Sequence, residues 1–295
     1  MPYEGQSRQC PVFGMVFACA FFATVASATP AMAQPTAPTA AATAGNTEFS
    51  YADLADLTLP AQIVAGITVA KAERLKGELA PGLLPGKARF LVHGTTGMLL
   101  KGADGLAGSL SYIVDVPLDA KGKAPKLKKA RFILIANRVA GRPQEVRLTS
   151  PRSQLAWTAT TESRVRAILT EANSPDTPPP VTGIGNAFHV PGAVPGESES
   201  QIFLTTSNNQ PISLNVLRRP GEQPQWSVAL SEIIDDNARA PAPQSLLWYR
   251  LACFLPPRMP GRAIASLSES DARAVREDYK LVLSKLGPCG RTITP

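Results

Sequence analysis

The chain is short of charge, aromatic rings and histidine: of its 295 residues 18% are charged, 6% are aromatic and two are histidines. With 44% hydrophobic residues it is nevertheless too apolar for a disordered polyelectrolyte. Its 28 prolines exclude a helix bundle or coiled coil, and its 22 glycines follow no every-third-residue repeat of the collagen kind. The scarcity of histidine leaves His93 and His189 as the only imidazoles available for acid–base chemistry near neutral pH.

Sequence motifs of cofactor binding and nucleophilic catalysis are also missing. Gly196-Glu-Ser-Glu-Ser fails the last position of a nucleophile elbow. Gly183-Ile-Gly185 lacks the third glycine of a dinucleotide turn, and Gly86-Lys87 lacks both the upstream glycine and the following hydroxyl of a phosphate loop. No cofactor is expected by these routes. Two late cysteines and two distant histidines match no zinc spacing, so no metal is expected either.

One absence is positional. No charged residue occurs between Arg8 and Glu48, and within that gap Val12 to Ala28 is a nearly continuous apolar run that ends in Ala31-Met32-Ala33. Small-x-small after an apolar core is the substrate of signal peptidase, so residues 1–33 are expected to be a signal peptide. Residues 34–47 carry no large apolar side chain and form a flexible Ala/Pro/Thr leader. An exported chain would shed Cys10 and Cys19 with its signal, keep no membrane span, and hold Cys253 and Cys289 in an oxidising compartment, where an even pair predicts one disulfide.

The mature chain reads as two domains. Over residues 48–172 the apolar period is two: Ile63 to Val69, Phe90 and Val92, Leu110 to Val116, Phe132 to Ala136, then Val146 and Leu148. Five strands in about 90 residues indicate a small antiparallel barrel or sandwich. Their count and spacing over residues 62–150 resemble a five-stranded OB-type barrel. Gly122 and Pro125 disfavour the helix that such barrels often carry between strands three and four. Thr160 or Thr161 can cap a short helix with a Val165, Ile168, Leu169, Ala172 stripe.

Residues 173–180, with three consecutive prolines, form the linker to an α+β domain at 181–295. There a strand near 181–190 precedes a meander with apolar residues at Ile202 and Leu204, Ile212 to Val216, and Trp226 to Leu230. Thr205, Ser213, Asn215 and Ser227 suggest a solvated second face. Helices are expected over 243–255, with Leu247, Leu251, Phe254 and Leu255 inward, and over 270–286, with a stripe at Ala272, Val275, Tyr279, Val282 and Leu286. The fold class is therefore mainly β with α+β.

Charge placement is the strongest functional signal. Lys121, Lys123, Lys126, Lys128, Lys129, Arg131, Arg138 and Arg142 lie between residues 120 and 144 with no acid among them, against a net +7 for the whole chain. Such a field concentrates polyanions, and Lys121 through Arg131 are the candidate anion-binding residues. Phe132 is the one aromatic residue of that segment, so no stacking platform interleaves the charges and nucleic acid is not an expected partner. The carboxylate pairs Asp235-Asp236 and Glu197 with Glu199 match ordinary exposed acids. These features indicate an exported, non-enzymatic envelope protein, a binding or structural module for an anionic envelope component or another exported protein. The alternatives are a periplasmic hydrolase using His93 or His189 at the domain junction, and an inhibitor-like barrel.

Overall fold

The computed structural model describes residues 49–230 and 238–293. The N-terminal apolar run, the leader and the Asp235-Asp236 pair lie outside the described residues. Five strands close a barrel: β1 (Ile63–Leu75), β2 (Lys87–Lys101), β3 (Ser109–Pro117), β4 (Arg131–Val139) and β5 (Arg142–Leu148). They are ordered β1-β2-β3-β5-β4, and β4 returns to pair with β1. Every neighbour is antiparallel except β3 and β5, which run parallel. Reversing the order of the last two strands makes this a Greek-key barrel of the OB type rather than a simple meander.

Alternation explains the interior. Ile63, Ala65 and Ile67 of β1 and Leu134 and Ala136 of β4 point inward with Val92, Tyr112 and Val114. The intervening Val64, Ile133 and Ile135 are just as buried, because they face helices outside the barrel. The start of β1 and the middle of β4 are thus covered on both sides, which is why residues 63–67 and 133–136 read as nearly unbroken apolar runs. The Met98 side chain of β2 folds over Gly66 of β1, where an added Cβ would fall 2.7 Å from it and displace it.

The helices against that outer face are α1 (Tyr51–Thr58) and α2 (Ala159–Ala172). Sequence periodicity did not indicate α1, although Ser50 and Asp53 form a reciprocal capping box at its start. Its last carbonyls, Thr58 O and Leu59 O, accept from Lys101 Nζ. α2 buries Val165, Ile168 and Leu169 as its stripe predicts, but its cap is Thr158, whose hydroxyl accepts from Thr161 N, rather than Thr160 or Thr161. Thr158 alone has the extended backbone that a cap needs. A three-residue strand, β6 (Gln154–Ala156), too short to show a period, joins β4.

The second sheet is an antiparallel meander in the order β10-β9-β8-β7, with β7 (Val181–Pro191), β8 (Ser198–Thr206), β9 (Ile212–Arg218) and β10 (Gln225–Ala229). Asn209 and Gly221 adopt positive φ in its turns. One face packs on α4 (Glu269–Leu286), which buries all five residues of its predicted stripe. The opposite face is drier than alternation suggests: Ser213 and Asn215 are buried, and Asn215 Nδ2 donates to Ser213 Oγ at 3.4 Å.

α3 (Leu246–Ala252) is shorter than the apolar stretch and inserts between two cores. Leu251 belongs to the core under the second sheet, whereas Leu246 and Tyr249 join α1 and α2. Phe254, expected inside, is 40% exposed because the helix ends at Cys253, before the expected turn is completed. Cys253 is bonded to Cys289, just past the C-terminus of α4. Among the described residues no helix is long and apolar enough to cross a membrane.

Candidate functional site

The lysine-rich segment is the connection from β3 to β4, residues 118–130, and it contains no helix. It closes one mouth of the barrel. Leu127 is buried in the barrel core, with Leu118 and Ala124 packed beside it. Its backbone is fastened at both ends: Leu118 N donates to Gly86 O at 2.8 Å, and Lys129 N donates to Val69 O at 2.8 Å.

Between these anchors Asp119 organises a tight turn. Its Oδ1 accepts from Lys121 N at 2.9 Å and Lys123 N at 2.8 Å, while Asp119 O accepts from Gly122 N. Gly122 takes φ +72°, open to glycine at no steric cost. The only acid of the loop is therefore engaged by backbone N–H groups and not by lysine side chains. Lys129 also holds a left-handed backbone, φ 68°, at a cost of about 1–2 kcal/mol for a residue with a Cβ. The Val69 bonds on either side of it offset that cost.

Lys121, Lys123, Lys126, Lys128 and Lys129 are all exposed, and no carboxylate among the described residues pairs with any of them. Like charges on one pinned loop repel one another, and a multivalent anion would relieve that repulsion.

The other cations of the cluster are placed differently. Arg131 lays its guanidinium over Trp157 at 3.4 Å from the ring centroid, and Trp157 Nε1 donates to Glu162 Oε2 at 2.8 Å. That hydrogen bond, with Arg166 and the nearby Arg131 charge, holds the Glu162 carboxyl below its ordinary range. Arg131, Trp157, Gly66 and Met98 line a small depression of about 80 Å³. The stacking partner is invisible to local sequence, because only the β4–β6 register brings Trp157 beside Arg131.

Arg138 lies seven residues along β4 from Arg131, roughly 23 Å of extended strand, and Arg142 follows it at the start of β5. Both are partnered: Arg138 Nη2 donates to Gly105 O at 2.6 Å, and Arg142 Nη1 meets Glu145 Oε2 at 3.0 Å. The eight cations that are contiguous in sequence thus separate into a basic mouth and an opposite rim where an acid stands near each arginine, Asp104 Oδ2 at 4.0 Å from Arg138 Nε and Glu145 beside Arg142. Strand geometry, which composition ignores, causes the split.

The histidines occupy different sheets. His93, on β2, is half-exposed, with Nε2 3.8 Å from Glu73 Oε1. His189, on β7, has Nδ1 2.9 Å from Ser200 Oγ, and that hydroxyl donates to Asp278 Oδ2 at 2.5 Å. The three residue types of a hydrolytic triad are present in the wrong sequence, since serine rather than histidine stands in the middle. Ser200 is fully buried and gives its proton to Asp278, which Arg218 also engages, so its oxygen is not aimed at any substrate. Glu197 and Glu199 sit at and before the start of β8, the first in a turn where Glu197 O accepts from Gly192 N. Among the described residues no group of three or more metal-ligating side chains assembles. No protein-family model and no curated protein matches the chain.

Proposed function

We propose that this protein is an exported, non-enzymatic envelope module that binds an anionic partner through the lysine loop over the barrel mouth. The observation that carries the reading is the fate of Asp119. With its carboxylate held by Lys121 N and Lys123 N, it forms no ion pair with the five exposed ammonium groups, which outnumber it on a loop anchored at both ends. Each lysine brought to an anionic surface contributes about 1 kcal/mol, screened over a Debye length of about 8 Å at physiological salt. Export is supported by the Ala31-Met32-Ala33 site and by the 253–289 disulfide. Both support a periplasmic or secreted location.

Retention on an anionic matrix tests the reading. The protein is expected to bind at low salt and elute as salt rises, and K121Q/K123Q/K126Q/K128Q/K129Q is expected to pass through. Equal retention of the two would refute it.

A further inference from the structure

A second loop stands at the same mouth of the barrel. The β1–β2 connection, residues 76–86, presents Leu79 at 69% and Leu84 at 60% exposure, the first and third most exposed of the large apolar side chains among the described residues. The loop is not loose. Arg89 Nη1 donates to Pro81 O at 2.7 Å, midway between the two leucines, and Arg89 is itself held by both carboxylate oxygens of Asp115 on β3. Leu79 lies in a hydrogen-bonded turn (Leu79 N to Lys76 O), and Leu84 O accepts from Lys87 N.

The two loops touch where Leu118 N meets Gly86 O, two residues after Leu84. Lys87 and Pro117 pair immediately below that contact. Two exposed leucines on one anchored loop thus adjoin a loop of five exposed lysines that pair with no carboxylate among the described residues. A hydrated polymer such as an acidic glycan would satisfy the lysines and leave the leucines in water. An anionic bilayer offers both a plane of negative headgroups and a hydrocarbon layer beneath it. Glu78, exposed beside Leu79, and the Asp119 carboxylate of the lysine loop oppose such docking, against five lysines.

Resting on the anion-binding reading of the lysine loop, we infer that the barrel mouth docks on an anionic membrane surface. Leu79 and Leu84 enter the headgroup–acyl boundary, and Lys121, Lys123, Lys126, Lys128 and Lys129 lie on the phosphates. The protein attaches to the membrane at this end without spanning it.

Cosedimentation with phosphatidylcholine vesicles, with and without phosphatidylglycerol, tests this beside retention on the anionic matrix. The protein is expected to partition onto the anionic vesicles and to be released by salt. L79S/L84S is expected to lose vesicle affinity by about tenfold or more while keeping its retention on the matrix. The five-lysine variant loses both. All these positions are exposed, so unchanged melting temperatures confirm that folding is not the cause. If L79S/L84S sediments with anionic vesicles as the parent does, membrane insertion is overturned and the lysine reading stands. Binding to an acidic polysaccharide but not to vesicles overturns it in favour of a glycan. Failure of the parent to bind matrix, polysaccharide or vesicles overturns both readings.

Discussion

The barrel mouth and the seam between α1 and residues 291–293 treat charge in opposite ways. At the mouth five lysines face solvent without a carboxylate partner among the described residues. At the seam, where α1 meets the C-terminal tail, one buried carboxylate is saturated: Asp53 accepts from Ser50 N at 2.9 Å, Thr292 N at 2.9 Å, Thr292 Oγ1 at 2.6 Å and Ile293 N at 3.0 Å. Asp56 one turn later accepts from Arg291 Nε and Nη2 and from the Tyr249 hydroxyl. Burial pushes the Tyr249 hydroxyl up, and the bond to Asp56 adds to the rise. The seam uses charge to close the fold, whereas the mouth keeps it open to a partner. Removing charge should therefore cost stability at the seam and binding at the mouth.

The largest expected effect is on the disulfide, which fixes the tail that carries Arg291 and Thr292. It closes a separation of 36 residues, for which the chain-entropy model gives about 4 kcal/mol. Reduction, or C253A/C289A, should lower the urea midpoint accordingly, and an unchanged midpoint would show that the bond contributes nothing to this end.

Asp53→Asn comes next, at about 3 kcal/mol, because it replaces a charged acceptor of four hydrogen bonds with a neutral one. Burial alone would raise the Asp53 carboxyl, but the bonds from Thr292, Ser50 and Ile293 outweigh it and hold the group below its ordinary range. A depressed folded-state value means that its contribution is complete above about pH 4 and declines as pH falls through that lower value. The slope there is at most about 1.4 kcal/mol per pH unit. The difference between the parent and D53N, measured by urea unfolding, should be constant from pH 7 to about 5 and shrink towards pH 2. A difference that grows with acid would remove Asp53 from this role.

Much of the barrel was legible because one-face burial writes itself into alternate residues, as at Leu110, Tyr112, Val114 and Val116 of β3. The α4 stripe was legible for the same reason at the helical period. What escaped depends on long-range partners. Alternation assigned Leu134 to the core, but Ile133 and Ile135 required knowledge of α1 and α2. α1 itself carries Asp53 and Asp56 on an eight-residue helix, so it looks too polar to pack, and only Ser50-x-x-Asp53 marked its start. The acceptors of the seam lie 239 and 235 residues from Thr292 and Arg291, and no local pattern records that distance. At the mouth the lysines were legible from composition, whereas the pinning of their loop by Asp119, Leu127 and Val69 was not.

Leu127→Ala sharpens the contrast by altering the mouth without touching its charge. Removing a buried leucine costs about 2–4 kcal/mol. The loss should come with weakened retention on the anionic matrix, because the lysines would remain but their platform would loosen. Retention equal to the parent's would mean that charge alone suffices and that the anchored geometry is irrelevant to binding.

The smallest expected effect on stability belongs to the five-lysine variant, and its size decides whether the comparison holds. Among the described residues none of these side chains has an ion pair to lose, and replacing them relieves repulsion among like charges, so unfolding free energy should shift by less than about 0.5 kcal/mol and not downward. Retention should nonetheless disappear. Urea unfolding and matrix binding on the same preparation separate the two quantities. If the variant is instead destabilised by as much as D53N, the lysines are structural, and the mouth belongs with the seam rather than opposite it.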